Sequence, residues 1–445
     1  MDFDPMLFFR CHSCKSDPEP GADTSTQVWY CDFMPDPKNP SQNSNFVATV
    51  GGQAICIIDL KEMKVWKNFY CNKSSPKEEF FCSVWINVPY NEFDSALLLA
   101  AGSNRGKLYF LSMDQDYSAG EISVVVPPKK GRKKDGIAVN SVCVHIDEKK
   151  KETLLCGLSC GLVFAYDMQC ATKQVEQKTL IEVQAKSLGS FSLPTQKVAG
   201  SFSAPAQVLQ LVFCPTTQFI LIASDTGLYG VHMPSCDQIA SNKHKIFKFK
   251  RPDEYRKGEH DLSDSVQVIG DGLISVKYAL HGAIFIFDLN HCTMNKNEKE
   301  PTMDFVPRYV LEWSNTDNYF LNIGVSRAAN LLACGDDQGT IWVYDIKSVK
   351  SGKKSDKPIV LPPTAQIAWP DEVIDRDATK KKKLDLKDNE IVINKVTIHS
   401  SGQYIVAATN KNTVCLWKRN DDTVNAVKFK ETPNKASRSP KSRIV

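Results

Sequence analysis

Seven times along the chain an apolar run ends in a small or glycine-rich turn, and a second apolar run follows that closes on an aspartate or an aromatic residue. LLACGDDQGTIWVYDI (331–346) shows the pattern most plainly. FVATVGGQAICIIDL (46–60), LLLAAGSNRGKLYFLSM (97–113), LLCGLSCGLVFAYDM (154–168), ILIASDTGLYGVHM (220–233), LISVKYALHGAIFIFDL (273–289) and YIVAATNKNTVCLWK (404–418) repeat it more weakly. Each copy is preceded by a shorter alternating run: VWYCDF (28–33), FFCSVWI (80–86), VNSVCVHI (139–146), QVLQLVFC (207–214), DSVQVIG (264–270), FLNIGVS (320–326) and NKVTIHS (394–400). Runs of this length, rich in Val, Ile, Phe and Tyr and bounded by Gly, Asn and Asp, predict short antiparallel strands. MKVWKNFY (63–70) and EISVVVP (121–127) are the best examples of a fourth, outer strand.

One such unit cannot bury its own apolar faces and must stack on copies of itself. Seven copies predict an all-β fold, a seven-bladed β-propeller with long polar loops. It forms a single domain over residues 1–420, with blades starting near 28, 80, 139, 207, 264, 320 and 394. The N-terminal run Met6-Leu7-Phe8-Phe9 is expected to supply the outer strand of the seventh blade, which removes the open seam of the ring. The repeats are longer than the roughly 40–45 residues common for such units. The excess is assigned to polar inserts at 127–136, about 171–204, 248–261, 291–303 and 370–390, and residues 421–445 are expected to form a basic disordered tail.

Composition adds limits. A net charge of +4 is too small to mark the whole fold as a nucleic-acid clamp. The basic residues are nevertheless clustered: Lys129, Lys130, Arg132, Lys133 and Lys134 form a nuclear-import or polyanion-contact candidate, Lys380 to Lys383 a second cluster, and 428–445 a third. Thr432-Pro433 and Ser439-Pro440 in the tail are candidate sites for a proline-directed kinase. Most of the 15 cysteines sit inside apolar strands, where Cys behaves as a small hydrophobe, which points to a reduced, intracellular setting. No run approaches the ~18 apolar residues of a membrane helix, and MDFDPMLFF has no signal-peptide character. Cys11, His12 and Cys14 in RCHSCK supply at most half of a tetrahedral zinc site, so no metal is expected. No GxxxxGK[ST], GxSxG or HExxH occurs, and the histidines are scattered. The expectation is a binding scaffold without catalytic residues or cofactor.

RCHSCKSDPEPGADTSTQVWYCDF (10–33), NFVATVGGQAICIIDL (45–60), EEFFCSVWI (78–86), LEWSNTDNYFLNIGVSRAANLLACGDDQGTIWVYDI (311–346) and LPPTAQIAWPD (361–371) together carry a resemblance. The chain resembles the WD-repeat domain of the leucine-rich repeat and WD repeat-containing protein 1 family, most strongly at both ends and faintly between about 115 and 260. It is similar, more distantly, to the Polycomb subunit EED. The resemblance implies a nuclear, chromatin-associated adaptor that joins the origin recognition complex to heterochromatin and reads trimethyl-lysine on histone tails, with DNA contact at most indirect and no membrane partner. The alternatives are an EED-like subunit supporting a Polycomb-type histone methyltransferase, or a generic WD-repeat scaffold. No LxxLxLxxN period is present, so functions of the family's leucine-rich part do not transfer.

From the EED likeness, a methyl-lysine cage falls on Val47, Phe81, Tyr319 and Phe320, with Phe46 or Trp85 as neighbours that would complete the wall at Val47. A trimethylammonium group cannot donate a hydrogen bond. It is held by cation–π attraction and apolar contact, worth roughly 0.5–2 kcal/mol per ring. Strand neighbours point to opposite faces, so one member each of Phe80/Phe81 and Tyr319/Phe320 suffices.

Overall fold

In the computed structural model, described for residues 1–13, 23–71, 78–115, 118–124, 126, 136–175, 178–197, 203–240, 244–251, 261–295, 301–352, 357–370, 374–375, 391–420 and 443–444, the repeats form seven sheets around one axis. The protein is a seven-bladed β-propeller. The inner strands of blades 1 to 7 are Val28–Asp36, Phe80–Pro89, Val139–Ile146, Val208–Cys214, Ser263–Gly270, Gly324–Ser326 and Ile393–Ile398. Each begins a meander of antiparallel strands running outward. The core is correspondingly divided. Each of the seven apolar clusters lies between neighbouring blades, as where Val28, Cys56 and Ile58 of blade 1 meet Val406 and Leu416 of blade 7. Backbones approach closely at these seams. A Cβ on Gly324 of blade 6 would stand 2.2 Å from the Val396 carbonyl oxygen of blade 7, so only glycine fits.

The ring is closed by the N-terminus. Asp2–Phe9 pairs antiparallel with Val414–Asn420, with Leu7 opposite Leu416 and Phe8 opposite Cys415. Phe8 and Phe9 are buried, and Phe8 meets Trp369 and Trp417 edge-on. Of the tail expected to be disordered, Arg443–Ile444 is described, as a short parallel strand beside Leu7 and Phe8. The basic segments at 129–134, 380–383 and 428–442, with Thr432, Ser439 and Cys14, lie outside the described residues.

Two of the expected inserts are structured. The stretch from 171 belongs to a long hairpin, Leu162–Val175 with Lys178–Ser192, that forms the outer half of blade 3. Its polar composition hides a period of two: Ile181, Val183 and Ala185 pack on the apolar cluster between blades 2 and 3, while Glu182, Gln184 and Lys186 face outward. Within 291–303, Thr293–Asn295 pairs with Thr302–Asp304, which adds in parallel to the outer strand of blade 4, Ile246–Lys250. Met303 is the reason, because it is buried in the seam between blades 4 and 5. Blade 6 departs in the other direction. Its expected strand from 320 starts only at Gly324, preceded by a single parallel bridge from Asn322 to Lys395, because Phe320 has φ +65° and cannot continue an extended strand.

Candidate functional site

Six inner strands begin with the same irregularity. Val28 pairs with Gly51 and Tyr30 with Val50, so Trp29 is an extra residue; Phe80 and Cys82 bracket Phe81 in the same way. Asn140, Leu209, Asp264 and Asn394 are the matching residues of blades 3, 4, 5 and 7. A bulge of this kind breaks the alternation and re-aims one side chain.

Where that residue is polar, it ties its blade to the next. Asn140 Nδ2 donates to the Val208 carbonyl at 2.9 Å, and Asn394 Nδ2 to the Val28 carbonyl at 2.9 Å. Asp264 Oδ2 accepts from the Phe320 N–H at 2.9 Å. Val28 and Val208 are the first residues of the following inner strands, and Phe320 takes the equivalent place in the turn that leads into the blade 6 strand. A second set of ties runs beneath: Leu211 N–H to Ser141 Oγ, Val266 N–H to Gln210 Oε1 and Ile323 N–H to Ser265 Oγ.

In blades 1 and 2 the bulged residue is aromatic. Trp29 and Phe81, both half-buried, meet edge to face with ring centres 5.7 Å apart. Phe81 also lines an axial cavity of about 150 Å³ together with Tyr30, Asn140, Gln210, Gln267 and Asn322. Deeper in the channel a cavity of about 220 Å³ is lined by Tyr30, Asp32, Gln267, Arg327, Lys395 and Thr397. Lys395 Nζ donates to the Ile323 carbonyl at 2.6 Å and stands 4.9 Å from the centre of the Tyr30 ring. Burial lowers the Lys395 pKa and raises that of Asp32, partly offset in each case by the other's charge.

The five cage positions expected from sequence fare differently. Phe81 is the bulged residue at the start of its inner strand, whereas Tyr319 and Phe320 lie in the turn before Gly324–Ser326 and are 44% and 43% exposed. Val47 is in the second strand of blade 1, opposite Phe33 and Ile58, and fully buried. Trp85, the fifth residue beyond the start of its strand, is buried in the seam between blades 1 and 2. Neither can touch a ligand, and Phe46 does not replace them, since it packs against Trp66 on the outer part of blade 1. The ring that reading the sequence passes over is Trp29. Aligning VWYCDF with FFCSVW reveals it, because Trp29 then falls on Phe81.

The Cys11-His12 motif is a structural tie. Cys11, His12 and Cys56 bring their donor atoms within 4.8 Å of one another and are buried, and the Cys11 thiol is lowered to about 5, mainly by its hydrogen bond with Cys56 against the opposing effect of burial. Both His12 nitrogens are already engaged: Nδ1 lies 3.0 and 3.2 Å from the Gly51 and Ala54 carbonyls, and Nε2 2.9 Å from Thr49 Oγ1. Both Nδ1 contacts are to carbonyl oxygens, so Nδ1 carries the proton and donates, while Nε2 is occupied by the Thr49 hydroxyl. Asp336 does similar work in blade 6, accepting from Gln338 N–H, Thr340 N–H and Trp342 Nε1 and so fixing the turn of the clearest repeat.

Fold and mouth together define a WD-repeat propeller scaffold. The family model for the WD domain of leucine-rich repeat and WD repeat-containing protein 1 matches residues 1–96 and 195–420, and the chain belongs to this family. Relatives of that name are 27% identical over 427 residues in Xenopus laevis, 24% over 434 in Danio rerio and 24% over 431 in Homo sapiens. The alignments cover 94%, 93% and 94% of this chain and 53%, 50% and 58% of the relatives, so the chain spans about half their length. Among solved structures, "Structure of U3-55K" superposes with a TM-score of 0.51 at 10% identity, covering 89% of this chain and 99% of that one, a likeness of fold alone.

Proposed function

We propose that the protein is a non-enzymatic, nuclear chromatin adaptor that reads trimethyl-lysine on histone tails at the channel mouth and associates with the origin recognition complex. The carrying observation is the bulged strand start: a position filled by a blade-to-blade tie at Asn140, Asp264 and Asn394 is given over to rings at Trp29 and Phe81. Nothing about closing the ring calls for aromatic residues there. Trp29, Phe81, Tyr319 and Phe320 offer ring faces from blades 1, 2 and 6, and desolvated rings are what a cation without hydrogen-bond donors needs.

Titrating the full chain with histone-tail peptides, unmodified and trimethylated at single lysines, tests the reading. A trimethylated peptide is expected to bind about tenfold or more tightly than its unmodified form, and Phe81→Ala or Tyr319→Ala to abolish that preference in a folded protein. Equal affinity for both forms rejects it. Affinity purification from nuclear extract addresses the partners. Origin recognition subunits are expected in the eluate; recovery of a SET-domain methyltransferase instead would point to the Polycomb-type role, and recovery of neither to an unrelated scaffold.

A further inference from the structure

Phe320, at φ +65°, occupies the left-handed region, which a bulky side chain adopts only when its surroundings compel it. Its N–H is held by Asp264 Oδ2 at 2.9 Å, and both oxygens of Asp264 accept from Lys277 Nζ, at 2.7 and 2.5 Å. The two charged side chains are 0% and 1% exposed, and Lys277 Nζ lies 5.1 Å from the centre of the Trp313 ring. A buried ion pair is a poor source of stability, because removing two charges from water offsets most of their attraction. Asn140 and Asn394 tie their blades to the next with a neutral amide that donates to a carbonyl, the opposite direction from Asp264, so a blade-to-blade tie at this position does not require a carboxylate and a lysine.

The surrounding turn is pinned on both sides of the exposed rings. Thr316 Oγ1 and Asn318 Nδ2 donate to Asp337 Oδ2 at 2.5 and 3.0 Å, and Asn322 Nδ2 donates to the Phe320 carbonyl at 3.1 Å. The backbone is restrained while the Tyr319 and Phe320 side chains remain open to solvent. Strain of this kind, maintained by a buried charge pair and displaying two aromatic rings, is a form of pre-organisation.

We infer that Asp264 and Lys277 are positioning residues: the pair holds the Tyr319–Phe320 turn of blade 6 in its ligand-receiving conformation and so sets the affinity of the mouth without touching the ligand. This rests on reading the mouth as a trimethyl-lysine site. Asp264 supplies the acceptor that fixes the Phe320 amide, and Lys277, donating to both of its oxygens, keeps that buried acceptor oriented.

Two variants separate positioning from stability. The double substitution Asp264→Leu with Lys277→Met removes the acceptor and both charges at similar volume, a replacement that buried ion pairs tolerate. It is expected to fold with a melting temperature close to that of the wild type, yet to lose hydrogen-exchange protection at the Phe320 amide and to bind a trimethyl-lysine histone-tail peptide about tenfold or more weakly. Asp264→Asn keeps an acceptor for the Phe320 N–H and strands Lys277. It should melt lower while retaining the protection and an affinity within about threefold of wild type. A double variant that binds like wild type with its Phe320 amide still protected overturns the inference. If the wild type binds none of the trimethylated peptides, the reading of the mouth fails, and amide exchange alone decides the positioning role: protection lost in the double variant supports it, protection kept refutes it.

Discussion

Asn140 and Asn394 show what the second residue of an inner strand does when it is an asparagine: it donates to the first carbonyl of the next blade. Trp29 and Phe81 occupy the same bulge and make no such bond, so their loss should affect recognition more than folding. Trp29→Ala is expected to weaken trimethyl-lysine peptide binding about tenfold with little change in thermal unfolding. Val47→Ala should do the reverse, leaving binding intact and costing about 2 kcal/mol through lost burial and the cavity left behind, read from chemical denaturation. Val47 entered the expected cage through the EED likeness, and its burial opposite Phe33 and Ile58 keeps it from the surface. Val47 and Trp29 both lie in apolar runs of blade 1, and only the slipped pairing of Val28 and Tyr30 shows that Trp29 leaves the alternation, where its ring meets Phe81. His145 carries a second residue-scale expectation. Its ring is buried against Phe213 at 4.3 Å with Nε2 2.7 Å from the Met233 carbonyl, and burial lowers its pKa below the ordinary 6.5, partly offset by that carbonyl and Asp147. The unfolded chain therefore takes up the proton first. Stability is complete above 6.5 and falls as the pH drops through that value. His145→Gln should flatten the decline in a melting series from neutral to mildly acidic pH, with His244 and His399, lowered by the same cause, leaving a residual slope.

Among the elements, the first strand has the largest consequence for its size. Asp2–Phe9 is the outer strand of blade 7 and buries Phe3, Leu7, Phe8 and Phe9. Deleting residues 1–9 exposes the edge of Val414–Asn420 and opens the cores on both sides of blade 7, and should lower the melting temperature by on the order of 10 °C or more. Adding the excised segment as a synthetic peptide should restore part of the loss; an unchanged calorimetric transition would mean that the ring is held shut elsewhere. This strand was legible in the sequence because an apolar run with no other partner precedes a blade series that lacks its last strand. The blade 3 hairpin was not, because Ile181, Val183 and Ala185 are diluted by Glu182, Gln184 and Lys186, and half-burial of small and medium side chains leaves a weak pattern. The turn at Phe320 was hidden for another reason: a phenylalanine with positive φ has no local signature, and Asp264, which accepts from its N–H, lies in the preceding blade.

For the whole molecule, seven sheets around an axis convert positions far apart in sequence into one rim. The proposed site draws residues 29, 81, 319 and 320 from blades 1, 2 and 6, and nothing local to any of them makes a site. The repeat itself was readable because each blade must bury both faces on its neighbours, which forces apolar strands and tight turns in every copy. The rim was readable only in part, since it depends on which copies replace a polar tie with a ring. The most direct measurement is a crystal structure of the full chain bound to a histone-tail peptide bearing trimethyl-lysine. The account predicts the trimethylammonium group at the channel mouth, in contact with Trp29, Phe81 and at least one of Tyr319 and Phe320. A peptide seated on another face of the propeller, or a trimethylammonium group away from these rings, would contradict it.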